Sequence, residues 1–96
     1  MQRYNPPHPG LVLKDALENV PITIGGFAEH IGVARSTVSR VLNCRAGITA
    51  DMSIRLSAAF GQVQGDIWFK MQNDYDFWQA SHAKPKRKIR PLKIAA

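Results

Sequence analysis

The 96-residue sequence has a single cysteine, Cys44, so the chain cannot close an intrachain disulfide bond. This scarcity agrees with a reducing compartment. No apolar run approaches the ~20 residues that a membrane-spanning helix needs, and the opening MQRYNPPHPG lacks the apolar stretch of a signal peptide. We therefore expect a cytoplasmic protein with no membrane partner. A chain of this length forms one small domain, which is typical of binding modules.

Sequence motifs of enzymes and metal sites are also missing. The three histidines are far apart, Cys44 has no second cysteine at metal-ligand spacing, and no P-loop, GxSxG or dinucleotide fingerprint occurs. Glu29 and His30 are neighbours, but adjacent side chains on a helix point about 100° apart, so they do not form a catalytic dyad. We expect a protein that is not an enzyme and that binds no cofactor and no metal.

Acidic residues are absent from residues 31–50, IGVARSTVSRVLNCRAGITA, which contain three arginines. Through residue 80 the chain has as many acidic as basic side chains, so the formal net charge of +6 comes from the C-terminal end. The six cations there are Lys84, Lys86, Arg87, Lys88, Arg90 and Lys93. A basic chain favours a polyanionic partner, and the arginine-rich stretch and the tail require separate explanations.

Apolar residues recur at helical spacing through the body and no alternating strand pattern occurs, so the sequence predicts an all-α fold. The predicted helices are Pro9 to about Asn19, Thr23 (as N-cap) to Gly32, about Ala34 to Leu42, Thr49 (as N-cap) to Gly61, and about Gly65 to Ser81. We divide the chain into a proline-rich N-terminal arm at residues 1–8, a domain at residues 9–81 and a basic tail at residues 82–96.

The third predicted helix has two different faces on a helical wheel. Its apolar face contains Ala34, Val38, Val41 and Leu42. Its other face contains Arg35, Ser36, Ser39, Arg40 and Asn43, without a carboxylate. Arginine forks and small donors of this kind bind base edges and phosphates. The alternative is an ordinary solvated surface, because most charged helix faces only interact with water.

The preceding helix favours the DNA-binding interpretation. Ala28, Gly32 and Val38 have the spacing of a helix-turn-helix, in which a small residue lets two helices cross closely, a glycine makes the turn, and a branched residue docks the second helix. Phe27, Ile31, Val33 and Val41 occupy the other expected apolar positions. We therefore predict a DNA-binding helix-turn-helix, and we expect the protein to be nucleoid-associated when it is bound to DNA.

Four motifs carry a resemblance to a known family: HPG at residues 8–10, GVARSTVSRVLN at 32–43, GITADMSIRLSAAFG at 47–61 and WFKMQNDYDFW at 68–78. In this order they resemble the HigA-type antitoxins of the Xre/Cro-repressor-like helix-turn-helix family. The resemblance implies a five-helix, lambda-repressor-like DNA-binding domain with a flexible N-terminal arm and a basic C-terminal tail. It also implies a homodimeric repressor that binds an inverted repeat in double-stranded DNA, autoregulates its operon and neutralises a small ribonuclease toxin of HigB type.

Two other functions stay open. One is a stand-alone or phage-type Xre regulator without a toxin, and the other is a protein-interaction adaptor that binds no DNA. A neighbouring reading frame of about a hundred codons for a small basic protein would separate the antitoxin from the stand-alone regulator.

The resemblance also implies DNA-contacting residues. Arg35, Ser36 and Arg40 match positions that face base edges. Ser39, Asn43 and Arg45 match backbone or flanking contacts, and Thr37 completes the predicted set. At the start of the second helix, where the family usually has a polar residue that touches a phosphate, this chain has Ile24, Gly25 and Gly26. Either backbone N–H groups take that phosphate or the contact is missing.

The remaining segments are predicted to be scaffold, with two exceptions. Met52, Leu56, Ala59 and Phe60 are expected in the core, together with one face of the last helix that contains Ile67, Trp68, Met71, Tyr75 and Trp78. Phe69 and Phe77 fall outside that face, so they pack on the arm or the tail, or form an exposed contact surface for a dimer or a toxin. In the tail, Ile89, Leu92 and Ile94 anchor an extended segment on a partner while the flanking lysines and arginines attract DNA without sequence preference, or the tail is disordered.

Overall fold

The computed structural model describes residues 5–84 and 87–93, which form five α-helices and no strand. The helices are α1 (Pro9–Glu18), α2 (Ile24–Ile31), α3 (Arg35–Leu42), α4 (Ala50–Ala59) and α5 (Ile67–His82). The predicted all-α, five-helix fold is confirmed, and the helix ends differ from the prediction by one or two residues at most positions. In the described ranges, no helix is long and apolar enough to cross a membrane.

One apolar core joins all five helices. Its buried side chains are Leu13, Phe27, Ala28, Ile31, Val38, Val41, Ile48, Met52, Leu56 and Trp68. Within it α3 packs on both α1 and α2, and α4 packs on both α2 and α5. The prediction that Ala34 belongs to the apolar face of α3 is wrong. Ala34 is the N-cap and is exposed, because the helix starts one residue later than expected.

The HPG motif builds the start of α1 and its contact with α3. His8 is the N-cap, and its Nδ1 accepts a hydrogen bond of 2.9 Å from the N–H of Gly10. Pro9 occupies the first helical position, where a missing N–H costs nothing. A methyl group on Gly10 would overlap the carbonyl oxygen of Val41, so only glycine lets α1 approach α3 this closely.

The end of the predicted arm is packed against the domain. Pro6 and His8 are both buried, and the His8 ring meets the Tyr75 ring edge-on with 4.9 Å between centroids. The expectation of a flexible arm is therefore wrong for its last residues, because His8 is held by α1 and α5 together. The first four residues of the arm lie outside the described ranges.

The predicted helix ends are confirmed by their hydrogen bonds. Thr23 Oγ1 and Thr49 Oγ1 accept from the backbone N–H groups three residues later, at 2.9 Å and 3.2 Å. Gly32 and Gly61 follow α2 and α4 with φ of 78° and 65°, the left-handed conformation that glycine adopts easily. After α3 the same position is Cys44, with φ of 59°, which the sequence did not indicate.

Buried polar side chains connect α4 to α5. Ser53 Oγ donates to the Gly65 carbonyl at 2.7 Å and accepts from the N–H of Phe69 at 3.0 Å, so it caps the first turn of α5. Gln72 is also buried; its Oε1 accepts from the N–H of Ile48 at 2.9 Å. A methyl group on Gly47 would lie 3.1 Å from the Gln72 side chain, so this glycine makes room for the amide.

Candidate nucleic-acid interface

The three residues that set the predicted helix-turn-helix spacing have the expected positions. Ala28 is 1% exposed and Val38 is 0% exposed, at the contact between α2 and α3. Gly32 makes the turn in a left-handed conformation. This geometry holds α3 across α2 with one face buried and the other in solvent. We call α3 the recognition helix from here on.

The solvent face of the recognition helix carries most of the predicted site. Six of its residues are exposed: Arg35, Ser36, Thr37, Arg40, Asn43 and Arg45. Ser39 is half-buried. The structure therefore brings all seven predicted residues onto α3 and the turn that follows it.

The positive charge of this face is not compensated within the described part of the chain. The two ion pairs found there are Arg55 with Asp51 on α4 and Lys70 with Asp66 on α5. Arg55 also donates from Nη1 to the Ile31 carbonyl at 2.8 Å, so it stabilises the C-terminal end of α2. Among the residues that the structure describes, Arg35, Arg40 and Arg45 have no such partners, so their guanidinium groups stay available for an external anion.

Asn43 differs from the other predicted contacts because its side chain is already engaged. Its Nδ2 donates to the Ser39 carbonyl at 2.9 Å, which ties the amide to the last turn of the recognition helix. The structure therefore gives Asn43 a helix-capping role in addition to its predicted contact.

At the start of α2, the hydrogen bonds show which backbone N–H groups already have an acceptor and which could contact a phosphate. The Gly26 N–H is taken by Thr23 Oγ1. The N–H groups of Ile24 and Gly25 have no acceptor among the residues that the structure describes. Any backbone contact to a phosphate at this helix start is therefore limited to these two groups.

Sequence reasoning missed one cation near the recognition helix. A groove of about 240 Å³ runs between α1, the start of α2 and the recognition helix, and Lys14 and Glu18 of α1 line it together with Ser39 and Asn43. Lys14 is exposed and lies on α1. Its proximity to the predicted site depends on how α1 packs on α3, and no local sequence signal reports that packing.

Three aromatic residues of α5 differ in their surroundings: Phe69 and Phe77, which lie outside the predicted core face, and Trp78, which lies on it. Phe77 is 75% exposed, so most of its side chain is not covered by the described residues of the arm or the tail. Phe69 is half-buried, and Trp78 stacks on the His82 ring at 3.8 Å between centroids.

Ile89 and Leu92 in the tail are 87% and 86% exposed, whereas Lys86 and Ile94 lie outside the described residues.

No group of three or more His, Cys, Asp or Glu side chains within residues 5–84 and 87–93 is arranged to hold a metal ion. The features that remain are two helices crossed through a glycine turn and a second helix that exposes small hydroxyl donors and arginines without an ion-pair partner in the described part of the chain. Together they define a helix-turn-helix DNA-binding domain.

Comparison with known proteins assigns the family. No family model matches the chain. Antitoxin HigA-1 of Vibrio cholerae is 33% identical over 89 residues, which are 90% of this chain and 83% of that protein. Virulence-associated protein A′ of Dichelobacter nodosus is 39% identical over 75 residues, 78% of this chain, and the match spans 65% of that protein's length. The chain belongs to the HigA-type antitoxins of the Xre/Cro-repressor-like helix-turn-helix family.

Solved structures agree with this assignment. A Pseudomonas aeruginosa protein in complex with its operator DNA superimposes with a TM-score of 0.77 at 32% identity, over 91% of this chain and 97% of that chain. Pseudomonas aeruginosa antitoxin HigA, solved with the higBA promoter, gives a TM-score of 0.73 at 28% identity, over 85% of this chain and 99% of that chain. The fold is therefore shared with one protein solved with its operator DNA and with one antitoxin solved with the higBA promoter.

Proposed function

We propose that this protein is a DNA-binding transcriptional repressor and antitoxin that acts without enzymatic chemistry, in the cytoplasm. It binds an inverted repeat in its own promoter as a homodimer and neutralises a small ribonuclease toxin of HigB type. The observation that carries the DNA-binding part is the exposed, uncompensated arginine face of the recognition helix on an intact helix-turn-helix. Structural relatives solved with operator DNA support it.

In this proposal each residue of the predicted set has a role. Arg35, Ser36 and Arg40 contact base edges in the major groove. Backbone or flanking contacts come from Thr37, Ser39, Asn43 and Arg45, and we add Lys14 because it lines the same groove as Ser39 and Asn43.

A homodimer is required because a single eight-residue helix reads too few base pairs to be specific alone. The dimer and toxin contacts need surfaces away from the recognition helix if DNA and protein partners bind together. The aromatic side of α5, with Phe69, Phe77 and the exposed part of Trp78, supplies one such surface.

A stand-alone regulator without a toxin is the second candidate. It is supported by a relative from Escherichia coli, an HTH-type transcriptional regulator, that is 29% identical over 96% of this chain and 97% of that protein. A reading frame for a small ribonuclease-like protein beside this one, and a stable complex of the two products, would favour the antitoxin.

The base-reading role of Arg40 can be tested by competition. The operator is first selected by the wild-type protein from random double-stranded DNA, and each variant is then measured on that operator and on shuffled DNA. Arg40→Ala should lose about 1–3 kcal/mol of preference for the operator. Lys70→Ala is the matched control, because it removes one positive charge from α5, where Lys70 pairs with Asp66.

The outcome separates two kinds of contact. A phosphate contact adds affinity for any sequence, whereas a base contact adds it for the operator alone. If Arg40→Ala weakens operator and shuffled DNA by the same factor, Arg40 binds the DNA backbone and the proposed base contact is wrong.

A further inference from the structure

The first turn of α2 contains two glycines whose surroundings differ. A methyl group on Gly26 would lie 3.1 Å from Thr23 Oγ1 and 3.2 Å from Ile22 Cγ1, so this position is crowded. A methyl group on Gly25 would meet Arg35 alone among the described residues, at 3.6 Å from its Cδ and 3.9 Å from its Nε. Steric crowding therefore accounts for glycine at the second of these positions but not at the first.

The contact at Gly25 involves the first residue of the recognition helix. The stem of Arg35 lies along the first turn of α2, over a residue that has no side chain. An exposed arginine has many rotamers, and it loses that freedom when it binds DNA in one orientation. Because the Arg35 side chain already rests on α2, it loses less conformational freedom when it binds DNA. The contact therefore holds the guanidinium in one orientation before binding.

We infer that Gly25 is a positioning residue that fixes the direction of the Arg35 side chain, and that position 25 thereby sets part of the operator preference. This inference rests on the proposed DNA-binding function and deepens it. It also gives a reason for the departure from the family pattern at the start of α2. In place of a polar side chain on α2 that touches DNA, this chain has a flat surface that orients an arginine of α3.

Operator affinity should therefore decrease further as the side chain at position 25 becomes larger. A methyl group reaches ordinary van der Waals contact with Arg35, so Gly25→Ala should change operator affinity only slightly. We expect a glutamine to extend into the space that Arg35 Cδ and Nε now fill, so that the arginine adopts another rotamer. Neither change endangers the helix, because glycine is a poor helix former and both replacements are better ones.

A double-mutant cycle tests the coupling between the two positions. The four proteins are wild type, Gly25→Gln, Arg35→Ala and the double variant, each titrated with the selected operator. Gly25→Gln should weaken operator binding about tenfold in the wild-type background, within the range of one bidentate base contact. In the Arg35→Ala background the same substitution should change affinity less than about twofold, because the side chain it displaces is already gone.

A matched control adds the same side chain elsewhere. Ala58 is exposed on α4, and Ala58→Gln should leave operator affinity unchanged. Circular dichroism and thermal unfolding verify that all variants are folded. A selection experiment on Gly25→Gln adds a second readout, since the enriched operator should change at the base pair that Arg35 contacts.

The outcomes distinguish this inference from the proposed function. If wild type prefers no DNA sequence over another, the proposed function fails. If wild type has an operator but glutamine at position 25 lowers affinity equally in both backgrounds, or in neither, then Gly25 does not position Arg35 and the inference is overturned. A tenfold loss that depends on the presence of Arg35 supports it.

Discussion

At the scale of single residues, Gly10 shows how one missing side chain sets the distance between two helices. Its Cα faces the backbone of Val41 so closely that a methyl group would overlap the carbonyl oxygen, and backbone cannot move aside as a flexible side chain can. Gly10→Ala should lower the free energy of unfolding by about 1–3 kcal/mol, the usual cost of overpacking. Urea unfolding followed by circular dichroism measures this.

Gly65→Ala is the control for that measurement. A methyl group there would lie 3.7 Å from Ile54 Cγ1, which is ordinary contact, so stability should change by less than about 1 kcal/mol. Equal effects of the two substitutions would contradict the close approach of α1 to α3.

His8 links stability to pH at the start of the same helix. Burial lowers the pKa of His8 below its ordinary value of 6.5, and the negative charge of Asp76 opposes that shift. Its Nδ1 accepts a hydrogen bond from Gly10, so the neutral ring is the capping form. Above pH 6.5 the ring is neutral in both states and its contribution to stability is complete.

As pH falls below 6.5, the unfolded chain binds the proton first, so stability should decrease until the pH reaches the lowered pKa of the folded state. The free energy of unfolding measured above and below pH 6.5 reports this slope. Asn is also a good N-cap, so His8→Asn should keep α1 capped and lose the part of the slope due to His8. An identical pH profile for the variant would show that His8 does not titrate as described.

The sequence predicted local residue roles better than long-range ones. Thr23 and Thr49 were predicted as caps because an N-cap depends on residues only a few positions away. The roles of Gly10 and Gly47 depend on α3 and α5, which are distant in sequence, and the periodicity of a single helix carries no information about them. The same limit applies to Lys14, whose place in the candidate site depends on the packing of α1.

At the scale of elements, α4 stabilises α5 through one of two buried serines. Ser53 is 0% exposed and bonds to both Gly65 and Phe69, whereas Ser57 is 1% exposed and its Oγ has no partner among the described residues. Ser53→Ala should cost about 1–3 kcal/mol, because it leaves the partly buried Gly65 carbonyl and Phe69 N–H without this partner.

The neighbouring serine is the matched control. Ser57→Ala removes a hydroxyl that makes no hydrogen bond with any described residue, so stability should stay within about 0.5 kcal/mol of wild type or increase. Thermal unfolding of the two variants side by side gives the comparison. A larger loss for the second variant than for the first would contradict the assignment of Ser53 as the cap of α5.

Helix number and type followed from apolar spacing, because an amphipathic helix must place its apolar residues on one face. The sequence also predicted the exposed face of the recognition helix, since Arg35 and Arg40 fall opposite Val38 and Val41. It missed the burial of Gln72. A polar residue on α5 is buried here because its amide finds a backbone N–H of the loop before α4.

At the scale of the whole molecule, the excess positive charge lies outside the helical domain. The described tail cations and the apolar Ile89 and Leu92 are all exposed. We expect the tail to add salt-sensitive attraction to any DNA without adding sequence preference. A chain ending at Ala83 keeps all of α5, including the stack of Trp78 on His82.

This shortened chain should bind all DNA more weakly at low salt and keep its operator preference. The dependence of log affinity on log salt should become shallower by about 0.9 for each phosphate that the tail neutralises. The comparison uses operator and shuffled DNA over a range of salt concentrations. An unchanged slope with a lost dimer or a lost toxin complex would identify the tail as a protein-binding segment.

The central claim is that the recognition helix reads double-stranded DNA as part of a two-fold symmetric dimer. Selection of bound sequences from a random double-stranded pool by the full chain, followed by sequencing, tests it most directly. We expect an inverted repeat whose half-sites are centred about 34 Å apart, one turn of the double helix. Enrichment of no sequence, or of a single site without a symmetric partner, would contradict this claim.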